Sequence, residues 1–171
     1  MRRRILVLTL LIFAACLIQS TVLEHIEILR IRPNLLLVLA IAIALVRSDM
    51  EAAFMGLACG MGMDILIGRA LGWYALCLFL VCFSIGLVNP KLYKENPLIP
   101  IFFVFSSSVI VELLYYFINF FLIGYHNIVF MLTTLILPES LYNAVIALFV
   151  YPLVLRVYKK LDKYDYVHTR L

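Results

Sequence analysis

Apolar residues in this chain are grouped into long runs that short polar and charged segments separate. A helix needs about 20 apolar residues to cross the roughly 30 Å hydrocarbon core of a bilayer, where every backbone polar group must be bonded internally. Six runs reach or approach this length, and they predict six transmembrane helices. Their bounds are Ile5–Leu23, Asn34–Val46, Ala52–Ile67, Leu71–Val88, Leu98–Ile123 and Glu139–Leu155.

Two of these runs have unusual lengths. The second has about 13 residues and would reach only roughly 20 Å, so we expect it to recruit flanking residues or to thin the membrane. The final apolar stretch, Ile128–Leu155, is too long for one straight crossing at about 42 Å. We therefore expect Ile128–Leu137 to lie at or dip into the membrane interface, Pro138 to break the direction of the chain, and the span to begin at Glu139.

The composition agrees with this pattern, since 65% of the 171 residues are hydrophobic and 14% are charged. No stretch is both long enough and polar enough to form a soluble domain. The sequence therefore predicts an all-α integral membrane protein with one six-helix membrane domain, residues 1–160. A short basic cytoplasmic tail, residues 161–171, follows it.

Lys and Arg are unevenly distributed between the two ends of the predicted helices. Arg30, Arg32 and Arg69 fall on one side, and the other eleven of the 14 Lys and Arg fall on the side that carries both termini. Short cytoplasmic loops are enriched in basic residues, so both termini are predicted to be cytoplasmic. The net charge of +4 is accordingly read as a signal of topology and of contact with anionic lipid, not of nucleic-acid binding.

Three acidic residues, Asp64, Glu112 and Glu139, lie inside the predicted spans. A charge at the centre of a membrane helix costs roughly 2.5–3.5 kcal/mol on insertion scales, so each needs a partner or a function. For Asp64 and Glu139 we favour a structural role over a proton relay or cation path. For Glu112 both interpretations stay open, because its helical face carries three further polar residues, Tyr115, Tyr116 and Asn119.

A row of small residues marks the third span. Residues without large side chains let two helix backbones approach closely, as in the small-xxx-small motif. The row is consistent with packing inside one subunit or with contact to a helix of another protein. It repeats every four residues through Ala52, Gly56, Gly60 and Asp64, and Gly68 and Gly72 continue the spacing into the next turn.

The last span begins with a typical helix start, Pro138 followed by Glu139 in the first turn. Asn143 lies one turn later, where a membrane amide commonly bonds a neighbouring helix. The sequence has no Ser-His-Asp set, no Cys-His pair, no phosphate-binding loop and no clustered metal ligands. We therefore expect a protein that is not an enzyme and that has no cofactor and no metal site.

Together, the motifs resemble the MreD family of bacterial rod shape-determining proteins, over about residues 5–160. Their order and spacing carry the resemblance more than any one of them. They are Gln19-Ser20-Thr21, Arg32-Pro33-Asn34-Leu35-Leu36-Leu37, Gly56-x-x-x-Gly60-x-x-x-Asp64 with Gly68, Leu71-Gly72-Trp73-Tyr74-Ala75-Leu76, Glu112, and Leu137-Pro138-Glu139-Ser140-Leu141-Tyr142-Asn143.

The resemblance implies a non-enzymatic scaffold of the elongasome, located in the bacterial cell (inner) membrane, that supports lateral peptidoglycan synthesis. It implies direct binding to MreC and, through the complex, links to MreB, RodA and a class B penicillin-binding protein. It also implies a fold similar to the six-helix substrate-binding subunits of energy-coupling-factor transporters. A vitamin-binding transport subunit is therefore the main alternative function, and a proton-coupled carrier is a further one.

One mechanism follows for the scaffold. A lipid-exposed groove on the row of small residues around Gly56 and Gly60 would hold the MreC span. Residues of the outer loop would position the MreC chain where it leaves the membrane. Those residues are Glu24, Glu27, Arg30 and Arg32.

Overall fold

The computed structural model describes residues 2–23, 31–68, 71–88, 98–123 and 128–168, and over these ranges the chain is almost entirely helical. A π-helical segment, Leu132–Ile136, joins the last two α-helices. The α-helices are α1 Arg2–Thr21, α2 Leu35–Ala44, α3 Asp49–Ile67, α4 Trp73–Val88, α5 Leu98–Ile123, α6 Ile128–Met131 and α7 Leu137–His168.

Four helical segments are long and apolar enough to cross a membrane, which agrees with the predicted all-α membrane protein. Two further apolar helices, α2 and α4, are shorter than a full crossing usually requires. The count of six spans stays a prediction. The four long segments are Arg4–Thr21, Met50–Ile67, Leu98–Ile118 and Ile128–Lys163.

Helix α2 forms the centre of the bundle. Every residue from Leu36 to Ala44 is buried, and α1, α3, α4, α5 and α7 all pack against the helix. A helix that other helices enclose faces no lipid, so its length need not match the bilayer if protein groups bond its ends. We predicted that the short second run recruits flanking residues or thins the membrane. The structure offers a different explanation, which is that other helices enclose α2.

Ion pairs connect α1, α3 and α7 at one end of the bundle. Arg4 donates to both carboxylate oxygens of Glu51 at 2.8 and 2.7 Å, and Arg47 pairs with Asp162. The Arg47 guanidinium also lies over the Tyr158 ring, 4.3 Å from its centroid. The start of α1, the elbow at Arg47 and the end of α7 therefore meet, as the charge distribution predicted.

The helical backbone continues through Pro138 and does not break there, contrary to the prediction. Proline lacks an N–H group and crowds the carbonyl four residues before it, and the wider π-helical turn directly ahead of α7 relieves that conflict. The α-helix itself begins at Leu137 with Glu139 in its first turn, as the sequence indicated. It runs on to His168, so the described part of the predicted tail is helical.

Candidate functional site

Buried and half-buried polar residues gather at the end of the bundle away from the Arg4 and Arg47 ion pairs. Five helices and the N-cap position of α2 supply them, near the helix termini or, for α5, near the middle. They are Gln19 of α1, Asn34 ahead of α2, Asp64 of α3, Tyr74 of α4, Ser108 and Glu112 of α5, and Glu139 and Asn143 of α7.

Hydrogen bonds of Asn34 connect the start of α2 with α4 and α7. Its side-chain oxygen accepts from the Leu37 N–H at 3.0 Å and so caps α2, while its Nδ2 donates to the Tyr74 hydroxyl at 2.6 Å. Its backbone N–H donates to Oδ1 of Asn143 at 2.7 Å, and Nδ2 of Asn143 donates to Ser108 at 3.1 Å. Asn143 therefore bonds two neighbouring helical segments, which is the role that its sequence position indicated.

Gln19 connects α1 to the same point. Its Nε2 donates to the Pro33 carbonyl at 3.0 Å, and its Oε1 accepts from the Leu35 N–H at 2.8 Å. Together with Asn34 it satisfies backbone groups at the start of α2 that have no partner within the helix. Side chains thus bond three backbone N–H groups at this end of the buried α2, those of Asn34, Leu35 and Leu37.

Asp64 caps the start of α4. Its carboxylate accepts from the backbone N–H groups of Gly72 at 2.9 Å, Tyr74 at 3.1 Å and Ala75 at 3.0 Å. The turn that brings these groups together requires left-handed backbone at Gly68, with φ of 68°, and positive φ of 103° at Gly72. Asp64 is 1% exposed, and this capping explains its buried acidic group without a transport role.

A cavity of about 480 Å³ lies beside Glu112. The Tyr74 hydroxyl donates to Oε1 of Glu112 at 2.7 Å, and the Tyr74 ring meets the edge of Tyr115 at a centroid distance of 5.3 Å. Within the described part of the chain Glu139 has no hydrogen-bond partner. The cavity lining consists of Gln19, Ser20, Arg32, Asn34, Met63, Leu66, Ile67, Tyr74, Glu112, Tyr115, Leu135 and Glu139.

The structure brings together only some of the polar residues that were predicted to share a helical face with Glu112. Tyr115 joins Glu112 in the cavity lining, whereas Tyr116 is buried, 6% exposed, and lies outside that lining. The side chain of Asn119 falls outside the described residues. So do Glu24, Glu27 and Arg30 of the predicted outer loop, and the fourth, Arg32, lies at the cavity.

The glycine row of α3 packs against α4 and is not a lipid-exposed groove. A methyl group at Gly60 would lie 2.4 Å from Cα of Ala75, and one at Gly56 would lie 2.7 Å from the Leu78 carbonyl oxygen. Both distances are far below van der Waals contact, so only glycine permits this close seam. The expectation that Gly56 and Gly60 hold a partner helix is wrong because α4 already occupies that surface.

A second open space lies between α4 and α5. It forms an apolar groove of about 440 Å³ in which three serines interrupt the hydrophobic surface. We call it the α4–α5 groove. Its lining residues are Leu80, Val81, Ser84, Ile85, Val88, Phe102, Phe103, Ser106, Ser107, Ile110 and Leu114.

Gln19, Asn34 and Tyr74 were not predicted to be site residues, although all three stand in the motifs quoted above. The rule applied to Asn143, that an amide within membrane helices bonds a neighbouring helix, would have selected Asn34 as well. Tyr74 gave no comparable signal, because a tyrosine near a helix end is common at membrane interfaces.

Comparison with known proteins identifies the family of the chain. No curated protein and no solved structure matches the chain. The family described as rod shape-determining protein MreD matches over residues 1–161. This range contains helices α1 to α6 and most of α7. The chain therefore belongs to the MreD family of rod shape-determining proteins.

Proposed function

We propose that this protein is a multi-pass subunit of the bacterial inner membrane that binds MreC and thereby supports lateral peptidoglycan synthesis and rod shape. Through MreC it is linked to MreB, RodA and a class B penicillin-binding protein. It acts without chemistry of its own, by holding a neighbouring protein in the plane of the membrane. The single observation that carries this proposal is the α4–α5 groove.

The α4–α5 groove is suited to a transmembrane helix. Helices associate in lipid through close packing, and small side chains such as serine allow that approach. Ser84, Ser106 and Ser107 provide such positions between Phe102 and Leu80. MreC is expected to have a single membrane span, and one helix is an occupant that an apolar groove between two helices can accept.

Two of the three serines in the groove offer little to an external polar partner. The Ser84 hydroxyl donates to the Leu80 carbonyl of its own helix at 2.8 Å, and Ser107 is buried with 4% exposure. Apart from Ser84, Ser106 and Ser107, the lining is apolar. Contact there depends on shape and dispersion, and that argues for another helix and against a polar substrate.

Co-purification of MreC tests this proposal. Ser84→Leu and Ser106→Leu fill the groove, and we expect each to reduce the MreC recovered with the protein by about 10-fold or more. Cells that depend on either variant should round up. Thr133→Leu is the matched control, because Thr133 bonds back to Val129 within its own helix and is exposed outside the groove.

Membrane abundance of each variant must equal that of the wild type for the comparison to count. Under that condition, full recovery of MreC with both serine variants contradicts the assignment of the groove. Rod-shaped growth after depletion of the protein contradicts the proposed function itself.

The cavity beside Glu112 favours one alternative, a vitamin-binding subunit of an energy-coupling-factor transporter. Such a subunit should retain a water-soluble small molecule after purification. Its loss should create a vitamin requirement and leave cells rod-shaped. Mass spectrometry of the purified protein and growth of a depleted strain on minimal medium separate the two functions.

A further inference from the structure

We infer that the cavity beside Glu112 binds the headgroup of an aminophospholipid, with its ammonium group between Glu112 and Glu139 and its phosphate toward Arg32. This site is separate from the α4–α5 groove, and the inference does not depend on the proposed contact with MreC. The lining supplies the three kinds of surface that such a headgroup requires.

The first surface is a pair of carboxyl groups with unused acceptor capacity. Glu112 accepts one hydrogen bond, from Tyr74, through Oε1. Glu139 has no hydrogen-bond partner among the residues that the structure describes, and it lines the same cavity as Glu112. A primary ammonium group has three N–H donors and a positive charge, so it satisfies these acceptors and offsets their mutual repulsion.

Hydrogen bonds behind Glu112 fix the position of its carboxyl group. Asn34 donates to the Tyr74 hydroxyl, and that hydroxyl in turn donates to Glu112. Both hydrogen bonds in this series are donated in the direction of Glu112. The series therefore ends at the cavity with a carboxyl oxygen, which is an acceptor. An arrangement that ends in an acceptor selects a ligand that donates.

The second surface is a positive charge at the rim. Arg32 is exposed and lines the cavity. A guanidinium is the side chain best shaped to bind a phosphate through paired hydrogen bonds. Negative groups inside and a positive group at the rim match a zwitterion whose ammonium enters first.

The third surface is an apolar wall that reaches the outside of the bundle. Met63, Leu66, Ile67 and Leu135 line the cavity, and Leu66 and Leu135 are 40% and 36% exposed. Exposed apolar residues on a membrane helix face lipid, so the cavity opens sideways to the bilayer. That opening admits a lipid with its acyl chains left in the membrane, which a soluble amine does not require.

Lipid retention by the purified full-length protein tests the inference. We would extract the protein from vesicles of equal parts phosphatidylethanolamine, phosphatidylcholine and phosphatidylglycerol and measure bound lipid by native mass spectrometry. We expect phosphatidylethanolamine to exceed phosphatidylcholine, whose methylated nitrogen has no N–H donor, by about 10-fold. Equal retention of the three lipids overturns the inference.

Variants locate the site. Glu139→Gln should lower retention of phosphatidylethanolamine by about 5-fold or more, since it replaces the carboxyl group that forms a charge-assisted hydrogen bond with the bound ammonium. Glu51→Gln is the control, because Glu51 is an acid paired with Arg4 at the other end of the bundle. Unchanged retention in Glu139→Gln contradicts the inference.

Leu135→Trp keeps the test decisive if the acidic variant does not fold. It changes only an exposed residue at the apolar wall, and it should block lipid entry while thermal unfolding stays that of the wild type. Full retention in this variant contradicts a lateral entry of lipid. Free ethanolamine offers the same ammonium group without acyl chains, and calorimetric binding of ethanolamine with no lipid preference overturns the lipid assignment.

Discussion

Small residues occur at both contacts of helix α4, the one with α3 and the one with α5. The two contacts differ in whether the space beside the small residues is filled. Toward α3, glycines bring the backbones so close that an added methyl at Gly60 would lie 2.4 Å from Ala75. Toward α5, serines line an open groove of about 440 Å³. Small residues alone therefore do not identify a partner surface, and the space left beside them decides between internal packing and external contact.

The difference also separates stability from recognition. The α3–α4 seam is closed at one end by Asp64, which bonds three backbone N–H groups at the start of α4. Substitutions there should unfold the protein. Substitutions in the α4–α5 groove should leave the protein folded and affect only its partner.

The largest effect is expected at the seam. Gly60→Leu forces four carbon atoms against the α4 backbone, and overpacking of this kind should cost about 3 kcal/mol or more. Thermal unfolding in detergent, followed through the fluorescence of the single tryptophan, Trp73, at the start of α4, measures the loss. Met61→Leu is the matched control, because Met61 is the next residue and is 40% exposed. A wild-type melting temperature for Gly60→Leu would falsify the seam.

The next largest effect is expected at Asp64. Asp64→Ala leaves three N–H groups of α4 without their acceptor, and each unsatisfied buried donor is costly, so we expect a total loss of about 2–3 kcal/mol. Asp64→Asn retains one carboxamide oxygen and should cost less. The same fluorescence melt ranks the three proteins. An alanine variant as stable as the asparagine variant contradicts the capping role.

A smaller loss of stability is expected for the exposed ion pair between Arg47 and Asp162. It shows how much a solvent-exposed polar contact contributes in this protein. Asp162→Asn weakens the pair with Arg47, and the Asp162 side chain is 52% exposed. Exposed ion pairs contribute roughly 0.2–1 kcal/mol, and salt screens them. The difference from wild type should shrink as ionic strength rises. A large loss that does not depend on salt contradicts this assignment.

The smallest effect on stability is expected in the α4–α5 groove. Ser106→Leu adds volume where space is open, so the free energy of unfolding should change by less than about 0.5 kcal/mol. The contrast with Gly60→Leu, the same final side chain on the two sides of α4, sharpens the comparison. If the melting temperature of Ser106→Leu falls as far as that of Gly60→Leu, the groove is part of the internal packing.

Much of the fold follows from the sequence because apolar runs and charge placement report on lipid directly. The bounds of α1 to α5 lie within three residues of the predicted runs, and the basic ends of α1 and α7 meet at Arg47. The continuous helix through Pro138 was not predictable in this way. A π-helical turn depends on how the preceding residues pack, and no residue type in Leu132–Ile136 specifies it.

The candidate site was predictable only in part for a related reason. A sequence reveals that Glu112 and Asn143 need partners, but it does not reveal which helices bring those partners. Periodicity also marked Gly56 and Gly60 as packing residues without stating which neighbour covers them. The identity of that neighbour, α4, is a property of the tertiary structure.

Site-specific photo-crosslinking in living cells tests the central claim most directly. A crosslinking amino acid at Ile110, 48% exposed at the edge of the α4–α5 groove, reports on what occupies the groove. The same amino acid at Leu10, 68% exposed on α1, reports on a lipid-facing surface elsewhere. We predict a crosslink from Ile110 to the membrane span of MreC and none from Leu10. A crosslink to MreC from Leu10 with none from Ile110 would contradict it.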